Sequence, residues 1–261
     1  MRAPDLTGAW RGLQHRRFQR RLAAPRLLRA FADAYPAAFF VEIGANDGEQ
    51  HDHLRPFVLH RAWRGIMVEP VPHVFERLRR NYGTLDRVSL ENVAIAERDG
   101  RLPFFYPAPP ATGELARLPD WYDGIGSLSR EAVVAHARHI PDIEARVVRV
   151  EVECLTYATL CRRHGVARVD LLVIDTEGHD WEILRSLDLS GERPRLIAYE
   201  HFHLSAEDRA AAREHLERAG YETLEEGFDT FCLEPGDDAL TRAFRRLRPG
   251  VPGVSAEDEP A

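Results

Sequence analysis

The feature that most constrains the fold is a short apolar run that stops abruptly in a glycine turn. Ala38 to Ile43 (AFFVEI) is followed at once by Gly44, Ala45, Asn46, Asp47 and Gly48. A run this short, apolar at nearly every position, reads as a strand buried on both faces, which is the environment of a parallel sheet. Similar runs recur at Gly65 to Val68, Val88 to Val93, Asp170 to Ile174 and Arg195 to Tyr199. Helical stretches fall between them, around Leu54 to Leu59, Val74 to Tyr82, Leu155 to His164 and Trp181 to Leu187. Strands alternating with helices imply right-handed crossovers and an α/β doubly wound, Rossmann-like sheet with helices on both faces. The end of the run reads differently. A helix over Ala206 to Ala219 is followed by strands at Tyr221 to Glu225 and Phe228 to Leu233, joined at Gly227, so the last strand should be antiparallel.

Three stretches fall outside this rhythm. Residues 8 to 34 carry Trp10, Leu13, Phe18, Leu22, Leu28 and Phe31 at roughly helical spacing among arginines, which reads as two amphipathic helices interrupted at Pro25. Residues 1–36 are therefore expected to form an N-terminal helical cap, and residues 37–247 the main domain. Residues 248–261, rich in Pro, Gly and acidic side chains, are expected to be a disordered tail. The segment 102–146 is too long for an ordinary crossover. Its proline cluster, its LPDWYDGIGSLS string and its helix bearing His136 and His139 predict an insertion or lid on the substrate side.

With 261 residues, 44% of them hydrophobic, one α/β domain is the expectation. The formal charge of -7 disfavours nucleic acid as a partner. Every basic residue other than histidine is arginine, which excludes a lysine Schiff base or a P-loop lysine. Three scattered cysteines with no C-x-x-C pair suit reduced thiols in the cytoplasm, and no apolar stretch is long enough for stable membrane insertion.

The glycine turn also carries chemistry. Gly48 follows Gly44 at a spacing of four positions, so the motif is not the G-x-G-x-x-G that receives a dinucleotide pyrophosphate. S-adenosylmethionine instead presents an ammonium and a carboxylate, and the side chains of Glu42, Asn46 and Asp47 suit the ammonium. Glu69 ends the second strand about 20 residues after Gly48, where an acidic residue receives ribose hydroxyls. Asn92 and Ala94, where the third strand is expected to end, are candidates for the adenine edge.

At these residues the chain resembles the FkbM family of methyltransferases. The matching strings are VEIGANDG, VEPVPHVFERLRRNY, ENVAI, VDLLVIDTEGHDWEILRSLDL and LIAYEH, which together span about Phe39 to Phe231. The resemblance implies a seven-stranded methyltransferase sheet with a reversed final strand and an S-adenosylmethionine cofactor, many members acting on hydroxyl groups. It implies that Gly44, Asn46 and Asp47 line the methionine moiety, Glu69 the ribose, and Asp175 the wall facing the transferred methyl. One departure is Val173, where many members carry lysine.

Methyl transfer to oxygen requires positioning and a base or a metal. Candidate groups cluster after two strands: Asp175, Glu177 and His179 follow one, and Glu200, His201 and His203 the other. In one reading Asp175, Glu200 and His201 hold a divalent metal; in the favoured one His201 or His179 is a metal-free general base. Ser127, Trp121, Tyr122 and His203 are the candidate substrate contacts. The expected acceptor is a small-molecule or glycan hydroxyl, and the sequence leaves room for a homo-oligomer. The competing readings are an NAD-type oxidoreductase and a methyltransferase-like scaffold without turnover.

Overall fold

The computed structural model describes residues 23–110, 118–191 and 193–248. The expected helical stretch before Ala23 and all but the first residue of the expected tail lie outside the described residues.

Strands β1 (Phe39–Ile43), β2 (Arg64–Val68), β3 (Val88–Glu91), β7 (Leu171–Ile174), β8 (Leu196–Glu200), β9 (Glu222–Glu226) and β10 (Asp229–Leu233) form a seven-stranded sheet in the order β3-β2-β1-β7-β8-β10-β9. The pairings from β3 to β8 are parallel, whereas β10 runs antiparallel to both β8 and β9. The reversal expected from the Gly227 hairpin is present.

Side-chain alternation splits the apolar strands between two cores. Phe40, Met67, Leu171 and Leu196 face helices α1 (Ala23–Ala34), α2 (Arg55–His60), α3 (Pro72–Tyr82) and α9 (Ala239–Leu247). Val41, Ile43, Ile66, Leu172, Ile174 and Ile197 face the opposite layer. That layer contains α6 (Tyr157–Arg163), α7 (Asp180–Ser186) and α8 (Ala206–Arg218).

Two sequence expectations need correction. Pro25 does not interrupt a helix: it sits in the first turn of α1, where its missing N–H leaves no intrahelical bond unmade. Leu27, Leu28, Phe31 and Ala32 of α1 are buried in the same core as the sheet, and the backbone N–H groups of Ala23 and Ala24 donate to the Glu226 carboxylate at 2.5 and 2.6 Å. The third strand ends at Glu91, two residues earlier than expected. Ala94–Ile95 (β4) joins a separate three-stranded sheet with β5 (Gly100–Pro107) and β6 (Val147–Leu155).

That second sheet also explains the long segment. Strands β5 and β6 are the stem of an antiparallel hairpin, and of the residues it carries Gly124, Gly126 and Leu128 reach the cleft at the carboxyl ends of the main strands. The described part of this roof has its own core, in which Tyr122, Ile125, Val133, Ile140 and Ile143 are buried. It contains α4 (Arg130–Val134) and α5 (Ile143–Arg146), with a turn of 3-10 helix, Ala135–Arg138, between them. An isolated bridge between Phe105 and Ser127 fastens it to the hairpin.

Candidate active site

The chain runs outward from β1 to β2 to β3 and then returns to β7 on the other side of β1. Such a reversal opens a crevice at the carboxyl ends of the strands. A cleft of about 640 Å³, counted with its solvent-open mouth, occupies this point, with Gly44, Asn46 and Glu69 on one wall, Asp175, Glu177 and His179 on another, and Gly124, Gly126 and Leu128 from the roof.

The floor is set by Gly44. Its φ of +85° is one that side-chain-bearing residues rarely adopt, and a Cβ there would overlap the carbonyl oxygen of Asp175 and lie 2.8 Å from its carbon. The turn is pinned from β2, because the N–H groups of Gly44 and Ala45 both donate to the carbonyl of Val68, at 3.0 and 2.9 Å. The Asn46 N–H donates to Glu69 Oε2 at 3.0 Å, while the Val71 N–H donates to Glu69 Oε1 at 2.7 Å. Glu69 is thus held rigidly against the cleft. Burial pushes its carboxyl up to about 7, against the opposing pull of those two N–H donors and of Arg77.

Beyond Gly44 the cleft is acidic. Asp175 keeps an open edge toward the cleft but is crowded by protein elsewhere; that crowding, and then the charges of Glu177, Asp180, Asp229 and Glu69, hold its carboxyl well above the usual carboxylate range. Glu200 is raised well above its range by burial and by Asp175, Glu177, Asp180 and Asp229. Burial lifts Asp229, the β10 partner of Glu200, to about 7, and Asp180 to about 6. Asp180 fixes the geometry: it accepts from the Thr176 hydroxyl at 2.7 Å and from the Glu200 N–H at 3.2 Å, joining the loop after β7 to the end of β8.

The roof meets this wall through Ser127, whose hydroxyl donates to the Glu177 carbonyl at 3.1 Å. The Glu177 carboxylate lies between two imidazoles, 3.0 Å from His203 Nε2 and 3.6 Å from His136 Nε2.

Among known proteins, a model of the methyltransferase FkbM domain matches residues 42–223. The chain belongs to this family. A curated relative, the 2-O-methyltransferase NoeI of Sinorhizobium fredii, is 29% identical over 153 residues, covering 57% of this chain and 57% of that protein. This FkbM chain therefore spans little more than half the length of that relative. A solved FkbM methyltransferase from Methylobacillus flagellatus is 13% identical, with a TM-score of 0.47, covering 76% of this chain and 44% of that one. Aeropyrum pernix fibrillarin with natively bound S-adenosyl-L-methionine is 11% identical, with a TM-score of 0.38, covering 76% of this chain and 66% of that one.

In this FkbM domain the cleft is lined by Gly44, Asn46, Glu69, Ala94, Asp175 and His179 of the sequence-predicted residues. Several others support it from behind. Asp47 Oδ1 accepts from the N–H groups of Glu49 and Gln50 at 2.9 Å, and Gly48 makes room for the Tyr82 ring. The Asn92 amide donates to the carbonyls of Glu69 and Pro70, bracing the loop that carries the acid. Glu42 points into the α1 side of the sheet, cross-strand from Val173, and is raised well above its normal range by burial and by Asp52 and Asp175. Val173, its register partner on β7, offers that carboxyl no cation.

The structure does not bring His201 to the carboxylates. Its Nδ1 lies 2.8 Å from the Thr230 hydroxyl, and burial, reinforced by Arg209, lowers it to about 4. The predicted trio of Asp175, Glu200 and His201 is therefore not assembled; the groups that converge are Asp175, Glu177 and Glu200, and His136, Glu177 and His203. Tyr122 is buried in the roof core, with its hydroxyl donating to the Ala108 carbonyl, and Trp121 packs on His136 and His139. Both shape the roof from within. Sequence reasoning missed Asp180 and Asp229, and it did not assign His136 or Glu177 a place beside His203.

Proposed function

We propose that this chain transfers a methyl group from S-adenosylmethionine to a hydroxyl of a sugar or another small molecule. The observation that carries the reading is one cleft with Glu69 rigidly presented at the end of β2 and a wall of carboxylates one strand beyond Gly44. The donor set suits this cofactor. Glu69 has backbone donors on both oxygens and retains lone pairs for two ribose hydroxyls. Val93 and Ala94 offer an apolar edge for a base, and the mutually repelling acids at Asp175 and Glu177 favour a cationic methionine end. When bound, the cofactor supplies an electrophilic methyl on a positively charged sulfur.

The rest falls to this chain's own residues. Asp175 forms the wall facing the methyl, and His179, which lines the same cleft, is the imidazole placed to take the acceptor's hydroxyl proton. The described roof, residues 118–146, covers the acceptor side and excludes water. The 2-O-methyltransferase activity of the NoeI relative supports oxygen as the acceptor atom. The three cysteines are free, which supports a place in the reducing cytoplasm.

The test is incubation with methyl-labelled S-adenosylmethionine and a panel of hydroxylated sugars and small metabolites. Label should appear on an acceptor oxygen with one demethylated cofactor formed per transfer. Cofactor binding without transfer to any acceptor would favour the scaffold reading, and absence of cofactor binding would overturn both.

A further inference from the structure

His136, Glu177 and His203 come from three distant segments: the 3-10 turn of the roof, the loop after β7 and the loop after β8. Their ligand atoms all lie within 4.8 Å of one another. We propose that they form a binding site for a divalent transition-metal ion, which ties the roof to the carboxyl end of the sheet.

The distances fit one ion held by all three side chains. Ligand atoms held about 2.0–2.1 Å from a tetrahedral ion stand roughly 3.3 Å apart. Here Glu177 Oε2 is 3.0 Å from His203 Nε2 and 3.6 Å from His136 Nε2, on either side of that value. Among the described residues the same buried oxygen has no partner with hydrogen-bond geometry.

The supporting shell points the same way. His136 Nδ1 lies 3.2 and 3.3 Å from the carbonyls of Ala132 and Val133, which can only accept, so that nitrogen carries the proton. Its Nε2 is then left with a lone pair aimed at the centre of the trio, as in metal sites where a backbone carbonyl fixes the ligand tautomer. Glu177 is held at φ +53°, a costly conformation for a residue with a side chain, and Ser127 anchors its carbonyl. Two imidazoles and one carboxylate suit zinc, iron, cobalt or manganese ions over calcium or magnesium. Such a trio leaves coordination positions open beside Asp175 and Glu200. Use of an open position by an acceptor oxygen rests on the methyl-transfer reading; ion binding does not.

The experiment uses untagged full-length protein stripped with a chelator and titrated separately with Zn2+ and Co2+. Zinc affinity is read by competition with an indicator, and cobalt by its visible absorption bands. Uptake of one ion per chain is expected, with bands of a mixed nitrogen and oxygen site. His136→Ala and His203→Ala should each weaken binding at least about tenfold, while His139→Ala, one turn away, should not change it. Absence of stoichiometric uptake by the unaltered chain, or uptake indifferent to both histidine substitutions, would overturn the site. Calorimetry with S-adenosylmethionine on the same samples separates this result from failure of the cofactor reading and shows that each variant is folded.

Discussion

Replacing Gly44 with alanine tests the architecture of the cleft floor. Two costs add at this position. A side-chain-bearing residue in the left-handed region loses about 1–2 kcal/mol. The new Cβ must also displace the backbone of Asp175, whose carbonyl carbon would be 2.8 Å away, and overpacking of this kind costs about 1–3 kcal/mol. The sum, about 2–5 kcal/mol, corresponds to a fall in melting temperature on the order of 10 °C for a domain of this size. Gly227 supplies the control. It has a comparable φ of +62° in the β9–β10 turn, but nothing within 4 Å of its built Cβ. Gly227→Ala should therefore lose only about 1 kcal/mol. Thermal melts followed by circular dichroism compare the two directly, and calorimetry should show that only Gly44→Ala also weakens S-adenosylmethionine. Equal losses of stability in the two variants would refute the tight crossing of the β1 turn over Asp175.

Glu69 predicts a pH dependence. Its folded-state carboxyl is raised from 4.5 to about 7, so the ribose-accepting carboxylate is lost as pH falls through 7, and cofactor affinity should drop about tenfold per pH unit below that point. The stability linkage has the opposite sense: between 4.5 and 7 the folded state holds a proton that the unfolded chain has released, so this group's contribution to stability declines as pH rises. Binding isotherms from pH 5 to 8 should become flatter in Glu69→Gln; an unchanged slope would count against the assignment. Asp175→Asn should depress turnover more than cofactor affinity in steady-state kinetics, and equal losses would make Asp175 a cofactor ligand only. Glu226→Ala should cost about 1–2 kcal/mol in denaturant unfolding, because it leaves the first N–H groups of α1 without their carboxylate.

The sheet was legible because its strands are apolar on both faces, and that pattern survives without knowledge of the partners. The strand Val147–Leu155 went unread, although Val148, Val150, Val152 and Cys154 alternate with Arg149, Glu151 and Glu153. Its pairing with residues 100–107 was hidden by the roof sequence between them. Pro25 misled because a proline at the start of a helix and one that breaks it look alike until the helix boundary is known. Gly44 and Glu69 could be matched to a cleft because strand order alone brings their ends together. His201 could not be distinguished from Glu200 or His203: which neighbour turns toward the cleft depends on where the strand ends and on Thr230, from a strand formed later in the chain. The approach of His136 to Glu177 has no local signal, for it depends on a hairpin stem folding the roof back over the sheet.

A structure of the chain with S-adenosylhomocysteine bound tests the central claim most directly. The account predicts both ribose hydroxyls on the Glu69 carboxylate, the base against Val93 and Ala94, and the sulfur facing Asp175. A nucleoside lodged elsewhere, with Glu69 contacting only Asn46 and Val71, would contradict it.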